Sequence, residues 1–129
     1  MAGRDIAAFV DAGRTLFSLG LVEGNEGNLS TFDGDTLQIT RTGCSLASLS
    51  GDDVLEGTLE ELPADVSSDA KLHVATYQEF GPGAFAHAHP PGTVPEGWHE
   101  GESHGLYMFG RTLPEAVGKI VQLMRDLAL

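Results

Sequence analysis

One cysteine, Cys44, stands in 129 residues. No internal disulfide can form, and nothing in the thiol content points to an oxidising compartment. Basic residues are scarce: 7 Lys and Arg face 19 Asp and Glu, a formal net charge of -12. Nucleic-acid affinity rests on phosphates neutralised by Lys and Arg, and anionic membrane surfaces ask for the same cations. The balance argues against both as partners. The acidity reads as solubility or a salty interior rather than as an acidic binding face. No uninterrupted apolar run approaches the roughly 20 residues that a spanning helix needs. Residues 1–11 carry Arg4, Asp5 and Asp11 and lack the apolar centre of a signal peptide, so a cytoplasmic protein is the expectation. Repeats, linkers and a second composition zone are all absent. The length suits one domain, 1–129, around one core.

What is present alternates between helical and strand signals. Ile6, Phe9, Val10, Gly13, Leu16 and Phe17 recur at one helical face that ends near Gly20. Residues 29–32 and 36–40 read as strands joined at Asp33-Gly34-Asp35. Ser50-Gly51-Asp52-Asp53 suits a short capped turn, and residues 54–62 read as two short strands around Gly57-Thr58. Ser67 or Ser68 suits the N-cap of a helix over about 69–80, stopped by Gly81-Pro82-Gly83. Residues 84–89 and 105–110 read as further strands. Between them, residues 90–103 hold three prolines and three glycines and form an irregular connection. Thr112-Leu113-Pro114-Glu115 has the form of a capping box, and Val117, Ile120, Val121, Met124 and Leu127 follow at helical spacing. The order predicts α/β architecture with a mostly antiparallel sheet flanked by helices.

The chemistry-bearing signal is His87-Ala88-His89, with His104 further on. Side chains at i and i+2 of a strand share a face. Three protein ligands with a fourth position left to water or substrate is the pattern of catalytic rather than structural zinc. The plainer reading is a surface or core pair of histidines. His73, on the expected helix, reads as a residue that packs or bonds locally, and His99, in the irregular stretch, as a solvated one.

Six motifs in order resemble the class II aldolase/adducin family, typified by L-fuculose-1-phosphate aldolase. Gly24-Asn25-Glu26-Gly27-Asn28-Leu29-Ser30 is similar to the family's Gly-x-x-Gly-Asn-hydrophobic-Ser loop, and Ile39-Thr40-Arg41-Thr42-Gly43 to its Ile-Thr-Pro-Ser/Thr-Gly loop. Leu49-Ser50-Gly51-Asp52-Asp53-Val54 looks like Leu-Thr-Pro-Glu-Asp-Leu. Ser67-Ser68-Asp69-Ala70-Lys71-Leu72-His73 looks like Ser-Ser-Glu-x-x-x-His. His87-Ala88-His89 resembles the metal-binding His-x-His. His104-Gly105-Leu106, then Thr112 to Ala116, resemble the closing metal histidine and last helix. Several tens of residues that the family carries between His-x-His and the third histidine are replaced by 90–103, so the chain resembles an internally shortened member.

The resemblance implies a three-layer α/β/α fold and an aldolase-type lyase. Its substrate would be a small phosphorylated sugar or hydroxycarbonyl compound, cleaved through a metal-stabilised enediolate. It implies His87, His89 and His104 as ligands of Zn²⁺ or another divalent metal. It implies Gly27, Asn28, Thr42, Gly43, Ser67 and Ser68 as the phosphate-holding loops. It also implies a homo-oligomer. Asp69 stands where the family has a catalytic Glu. It reads either as the acid/base group or as a helix first-turn acid favoured by the dipole. The alternative to an enzyme is a degenerate member that binds a metal, an anion or a partner without catalysis.

Overall fold

A computed structural model describes residues 5–24, 26–67, 69–90 and 105–127. The chain runs through α1 (Ile6–Ser18), β1 (Asn28–Phe32), β2 (Leu37–Thr40), two single 3-10 turns, β3 (Val54–Gly57), α2 (Ala70–Phe80), β4 (Gly83–Ala88), β5 (Leu106–Gly110) and α3 (Leu113–Leu127). The five strands form one sheet in the order β3-β2-β1-β4-β5. Every neighbouring pair is antiparallel.

Strand alternation sorts the side chains onto two unlike faces. On one face Leu29, Ala84, Ala86 and Ala88 pack with Phe9, Ala12 and Leu16 of α1 and Leu113, Ala116, Val117 and Ile120 of α3. Small alanines along β4 let both helices lie close to the sheet. On the other face Leu37, Ile39 and Phe85 pack with Ala70 and Tyr77 of α2. Helices α1 and α3, the sheet, and α2 make the three layers the sequence implies. Gly13 is required where α1 meets the turn Leu46–Ser48, since a Cβ there would lie 2.1 Å from the Leu46 carbonyl oxygen.

Local chemistry sets the ends of the elements. The Asp5 carboxylate accepts from the Ala8 amide at 3.1 Å and caps α1. Asp33 accepts from the amides of Asp35 and Thr36 and closes the β1–β2 hairpin. Gly81, at φ 80°, ends α2. Thr112 Oγ1 accepts from the Glu115 amide at 3.2 Å, and Glu115 accepts from Arg111 N at 2.9 Å, which starts α3.

Two expectations change in the structure. Residues 54–62 hold one strand rather than two, because Thr58 N–H bonds to the Glu61 carbonyl and Glu61 N–H to the Thr58 hydroxyl, folding the segment into a turn. Phe17, on the helical face the spacing predicts, is 48% exposed, while Ala12, outside that set, is buried. Among the described residues, no helix is long and apolar enough to cross a membrane.

Candidate functional site

Three elements deliver the site. Helix α2, with Asp69 at its N-cap, presents Asp69, His73 and Tyr77 at i, i+4 and i+8, a rise of about 6 Å per step. Strand β1 presents Asn28, Ser30 and Phe32 at i, i+2 and i+4, a rise of about 6.7 Å per step. The two periods nearly match, so helix and strand side chains engage rung by rung. Strand β4 lies beside β1 with His87 opposite Asn28, which puts His87 at the end of that ladder.

The rungs are hydrogen bonds. The Tyr77 hydroxyl lies 2.7 Å from Ser30 Oγ, and Ser30 Oγ lies 2.5 Å from His73 Nδ1. His73 Nε2 meets Asn28 Oδ1. Asn28 Nδ2 donates to Asp69 Oδ2 at 2.8 Å, and His87 Nδ1 lies 2.8 Å from the same oxygen. The Nε2 atoms of His87 and His89 then face each other at 3.1 Å. Asn28, Ser30, His73, Tyr77 and His87 are all buried, with His73 and Ser30 fully so.

Packing holds the rings. Tyr107, across the sheet from His87, stacks on its imidazole at 4.0 Å between centroids and 12° between planes. Phe85 meets the His73 ring edge-on at 4.8 Å. His89 lies just past β4, where its amide bonds to the Leu21 carbonyl at 2.8 Å and its Nδ1 lies 3.4 Å from Glu26 Oε2. Gly27, at φ 82°, lets the chain enter β1 here; a Cβ would sit 2.8 Å from the His87 carbonyl oxygen.

Burial governs the protonation of the two outer histidines. Burial, with His87 nearby, pushes His73 down to about 3 against the opposing pull of Asp69. Burial, and again His87, holds His89 below the usual imidazole range, with Glu26 acting the other way. Both are therefore neutral near pH 7.

The sequence-derived candidates fall as follows. His87, His89, Asp69 and Asn28 come together. The Asn28 side chain points into this cluster, with both ends engaged by His73 and Asp69. Gly27, Thr42, Gly43 and Ser67 lie on loops at the same end of the sheet: Arg41 bridges Val66, and Thr42 N–H bonds to the Asp65 carbonyl at 2.7 Å. Ser67 Oγ accepts from the Asp69 amide at 3.3 Å. His104, Ser68 and His99 lie outside the described residues. Among the described residues, no group of three or more His, Cys, Asp or Glu side chains is gathered for a metal ion. Ser30, Tyr77, Tyr107 and Glu26 were not singled out from sequence. The matching periods in β1 and α2 are the signal that finds the first two.

Two clefts open elsewhere. One of about 600 Å³ lies between α1 and α3. Another of about 440 Å³ lies at the far strand ends, beside Phe32, Gly83 and Arg111. Neither is lined by His87 or His89.

An antiparallel sheet between helical layers, with a His-x-His pair and a helix-borne carboxylate at one end, defines the class of protein. Residues 7–95 match the family described as Class II Aldolase and Adducin N-terminal domain, and the chain belongs to that family. Among solved structures it is similar to L-fuculose-1-phosphate aldolase from Thermus thermophilus, at 36% identity and a TM-score of 0.62, over 67% of this chain and 45% of that one. YgbL from Klebsiella pneumoniae, a putative aldolase/epimerase/decarboxylase, shares the fold at 20% identity and a TM-score of 0.75, over 89% of this chain and 82% of that one. A curated relative is the probable bifunctional methylthioribose-1-phosphate isomerase/methylthioribulose-1-phosphate dehydratase of Nocardia farcinica, 33% identical over 84 residues, which are 60% of this chain and 15% of the relative. The chain thus spans less than half the length of either the Thermus aldolase or the Nocardia protein.

Proposed function

We propose that the chain is a metal-dependent aldolase-type lyase for a small phosphorylated sugar or hydroxycarbonyl compound, with zinc held by His87, His89 and His104. The observation that carries this reading is the His87–His89 pair, whose Nε2 atoms face each other at 3.1 Å. Tetrahedral zinc with nitrogen bonds of about 2.0–2.1 Å sets two such nitrogens about 3.3 Å apart, so the pair fits the group. Asp69 sits behind His87 and Glu26 behind His89, the carboxylates that orient ligating imidazoles. His104 enters from the family resemblance; it precedes Gly105, where a Cβ would lie 2.9 Å from the His89 ring.

When bound, zinc supplies Lewis-acid polarisation of a substrate carbonyl and its neighbouring hydroxyl. The remaining work falls to the chain. Asp69 takes and returns the proton beside that carbonyl. Gly27, Thr42, Gly43, Ser67 and Ser68 offer backbone N–H and hydroxyl donors to the phosphate. Asp is one methylene shorter than the family's Glu, and a misplacement of about 1 Å costs on the order of a hundredfold in rate. A homo-oligomer and a cytoplasmic location complete the reading.

The test is turnover. Folded, zinc-loaded protein is given dihydroxyacetone phosphate with a panel of aldehydes, and L-fuculose 1-phosphate for cleavage. Carbon–carbon bond formation or cleavage that disappears in His87→Ala supports the reading. Silence with every divalent metal, in protein that binds zinc, overturns it. A second reading, a binding module without catalysis, is favoured by one observation: Asp69 Oδ2 already receives both Asn28 and His87, as a carboxylate used for holding would. Asp69→Glu separates the two, since a rise in turnover marks an enzyme and silence in both forms marks a binder.

A further inference from the structure

A phosphate dianion calls for positive charge, and the loops proposed to hold it carry little. Asn28 spends its side-chain amide on His73 and Asp69. The Thr42 N–H is taken by the Asp65 carbonyl at 2.7 Å. Glu26, Asp65 and Asp69, on or beside the same loops, are acids. Of the 7 Lys and Arg in the chain, Arg41 alone falls within these loops.

Two observations place Arg41 on the α2 face of the sheet, the face that bears Asn28 and His87. Strand β2 turns Leu37 and Ile39 to that face, and alternation carries Arg41 to it as well. Arg41 also bridges antiparallel to Val66, which packs against the same cluster, and directly opposed residues share a face. Asp53, fixed by Ser50, accepts from Arg41 Nε at 2.7 Å. That bond steadies the side chain and leaves the N–H donors of the two Nη atoms for other work. Among the described residues Asp53 is the one partner of the guanidinium, and the Arg41 side chain stays 45% exposed. Two residues on, Gly43 has a φ of 77°, and a Cβ there would meet open space.

We propose that Arg41 is a specificity-determining residue: steadied by Asp53, its Nη groups hold the phosphate of the substrate beside Gly43 and Ser67. This rests on the proposed function for the phosphorylated substrate. A planar fork meets two phosphate oxygens at once, so the site favours phosphorylated hydroxycarbonyl compounds over neutral ones.

The test titrates inorganic phosphate into metal-free protein at constant ionic strength, followed by NMR. In the parent, the amides of Gly43 and Ser67 and the guanidinium signals of Arg41 move together along one saturable curve. Arg41→Gln is expected to bind phosphate at least about tenfold more weakly, the scale of a lost charge-assisted bond. Asp53→Asn breaks the same ion pair but keeps the guanidinium. It is expected to bind within about threefold of the parent, since a half-exposed pair is worth little. In zinc-loaded protein, the ratio of kcat/KM for dihydroxyacetone phosphate to that for dihydroxyacetone should fall by a similar factor in Arg41→Gln. The proposal is overturned by any of five results: no saturable movement in the parent, amide movement without Arg41, equal affinity in Arg41→Gln, an equal loss in Asp53→Asn, or an unchanged ratio. The parent titration needs no variant, so it decides even should Arg41→Gln not fold. If phosphate binds through Arg41 and no carbon–carbon chemistry is found, the lyase reading fails and the Arg41 assignment stands.

Discussion

The two faces of the one sheet are built on opposite principles. Toward α1 and α3, strand β4 turns Ala84, Ala86 and Ala88 into a cluster of apolar side chains. Toward α2 the same strand turns Phe85 and His87, and β1 adds Asn28 and Ser30 against Asp69, His73 and Tyr77. The apolar face is held by area and volume, which many side-chain sets could satisfy. The α2 face adds to its own apolar packing a chain of directed bonds between buried polar groups. Adjacent residues of one strand thus serve apolar packing on one side and a buried hydrogen-bonded chain on the other.

The largest expected effect is on the apolar side. Phe9 is fully buried in the α1–α3 layer, and Phe9→Ala should cost about 3–5 kcal/mol, a large share of the roughly 5–15 kcal/mol that holds a domain together. Urea unfolding followed by circular dichroism measures it. In the fraction that remains folded, the acid dependence that His73 sets should be unchanged. A changed dependence on pH would show that the two faces are not separable.

The polar side answers to acid instead. His73 titrates near 6.5 when unfolded and near 3 when folded. Between those values the unfolded chain binds a proton that the folded one refuses, so stability rises with pH across the window. Lowering the pH from 6.5 to about 4.5 should remove on the order of 1 kcal/mol per unit from this residue alone. His89, also held low by burial, adds in the same direction. His73→Gln should flatten the slope by one proton without displacing the apolar core. An unchanged slope in urea midpoints from pH 4.5 to 6.5 would assign the acid sensitivity to other groups.

The sequence carried the layers further than it carried the ladder. Helical spacing in α1 and α3 and the alternation in β4 follow from hydrophobic periodicity, which is local. The Ser67–Asp69 segment and His-x-His are legible as chemistry, but not their meeting. Asp69 reaches Asn28 across 41 positions of sequence and His73 reaches Ser30 across 43. No local pattern encodes that pairing; it needs β1 to lie under α2 in one register. His73 reads as a residue that packs or bonds locally, and its bonds turn out to be long-range ones. Asn28 matches a phosphate loop by motif, whereas its side chain is turned inward because β1 alternation sends it to the α2 face. The second strand expected at 54–62 fails for a local reason, since Thr58 offers its hydroxyl to the Glu61 amide and closes a turn before a strand can extend.

The smallest effect lies on neither face and so calibrates both. Asp53, in the 3-10 turn just before β3, accepts from the Ser50 amide at 2.9 Å, the Ser50 hydroxyl at 3.2 Å and Arg41 Nε at 2.7 Å. Burial alone would raise its carboxyl, yet the Ser50 and Arg41 donors outweigh burial and leave it below the usual range. Its contribution is therefore present above about pH 4 and fades as the pH falls through the folded value. Arg41 is half exposed, so the ion pair itself is worth about 0–1 kcal/mol, and the cap supplies most of the rest. Asp53→Asn should cost about 1 kcal/mol near pH 7, and the difference from the parent should shrink toward pH 3. It should leave the His73-dependent slope between pH 4.5 and 6.5 intact. A larger loss, or a change in that slope, would mean that the loop after β2 is coupled to the α2 ladder, through the bridge from Arg41 to Val66 that leads into Ser67 and Asp69.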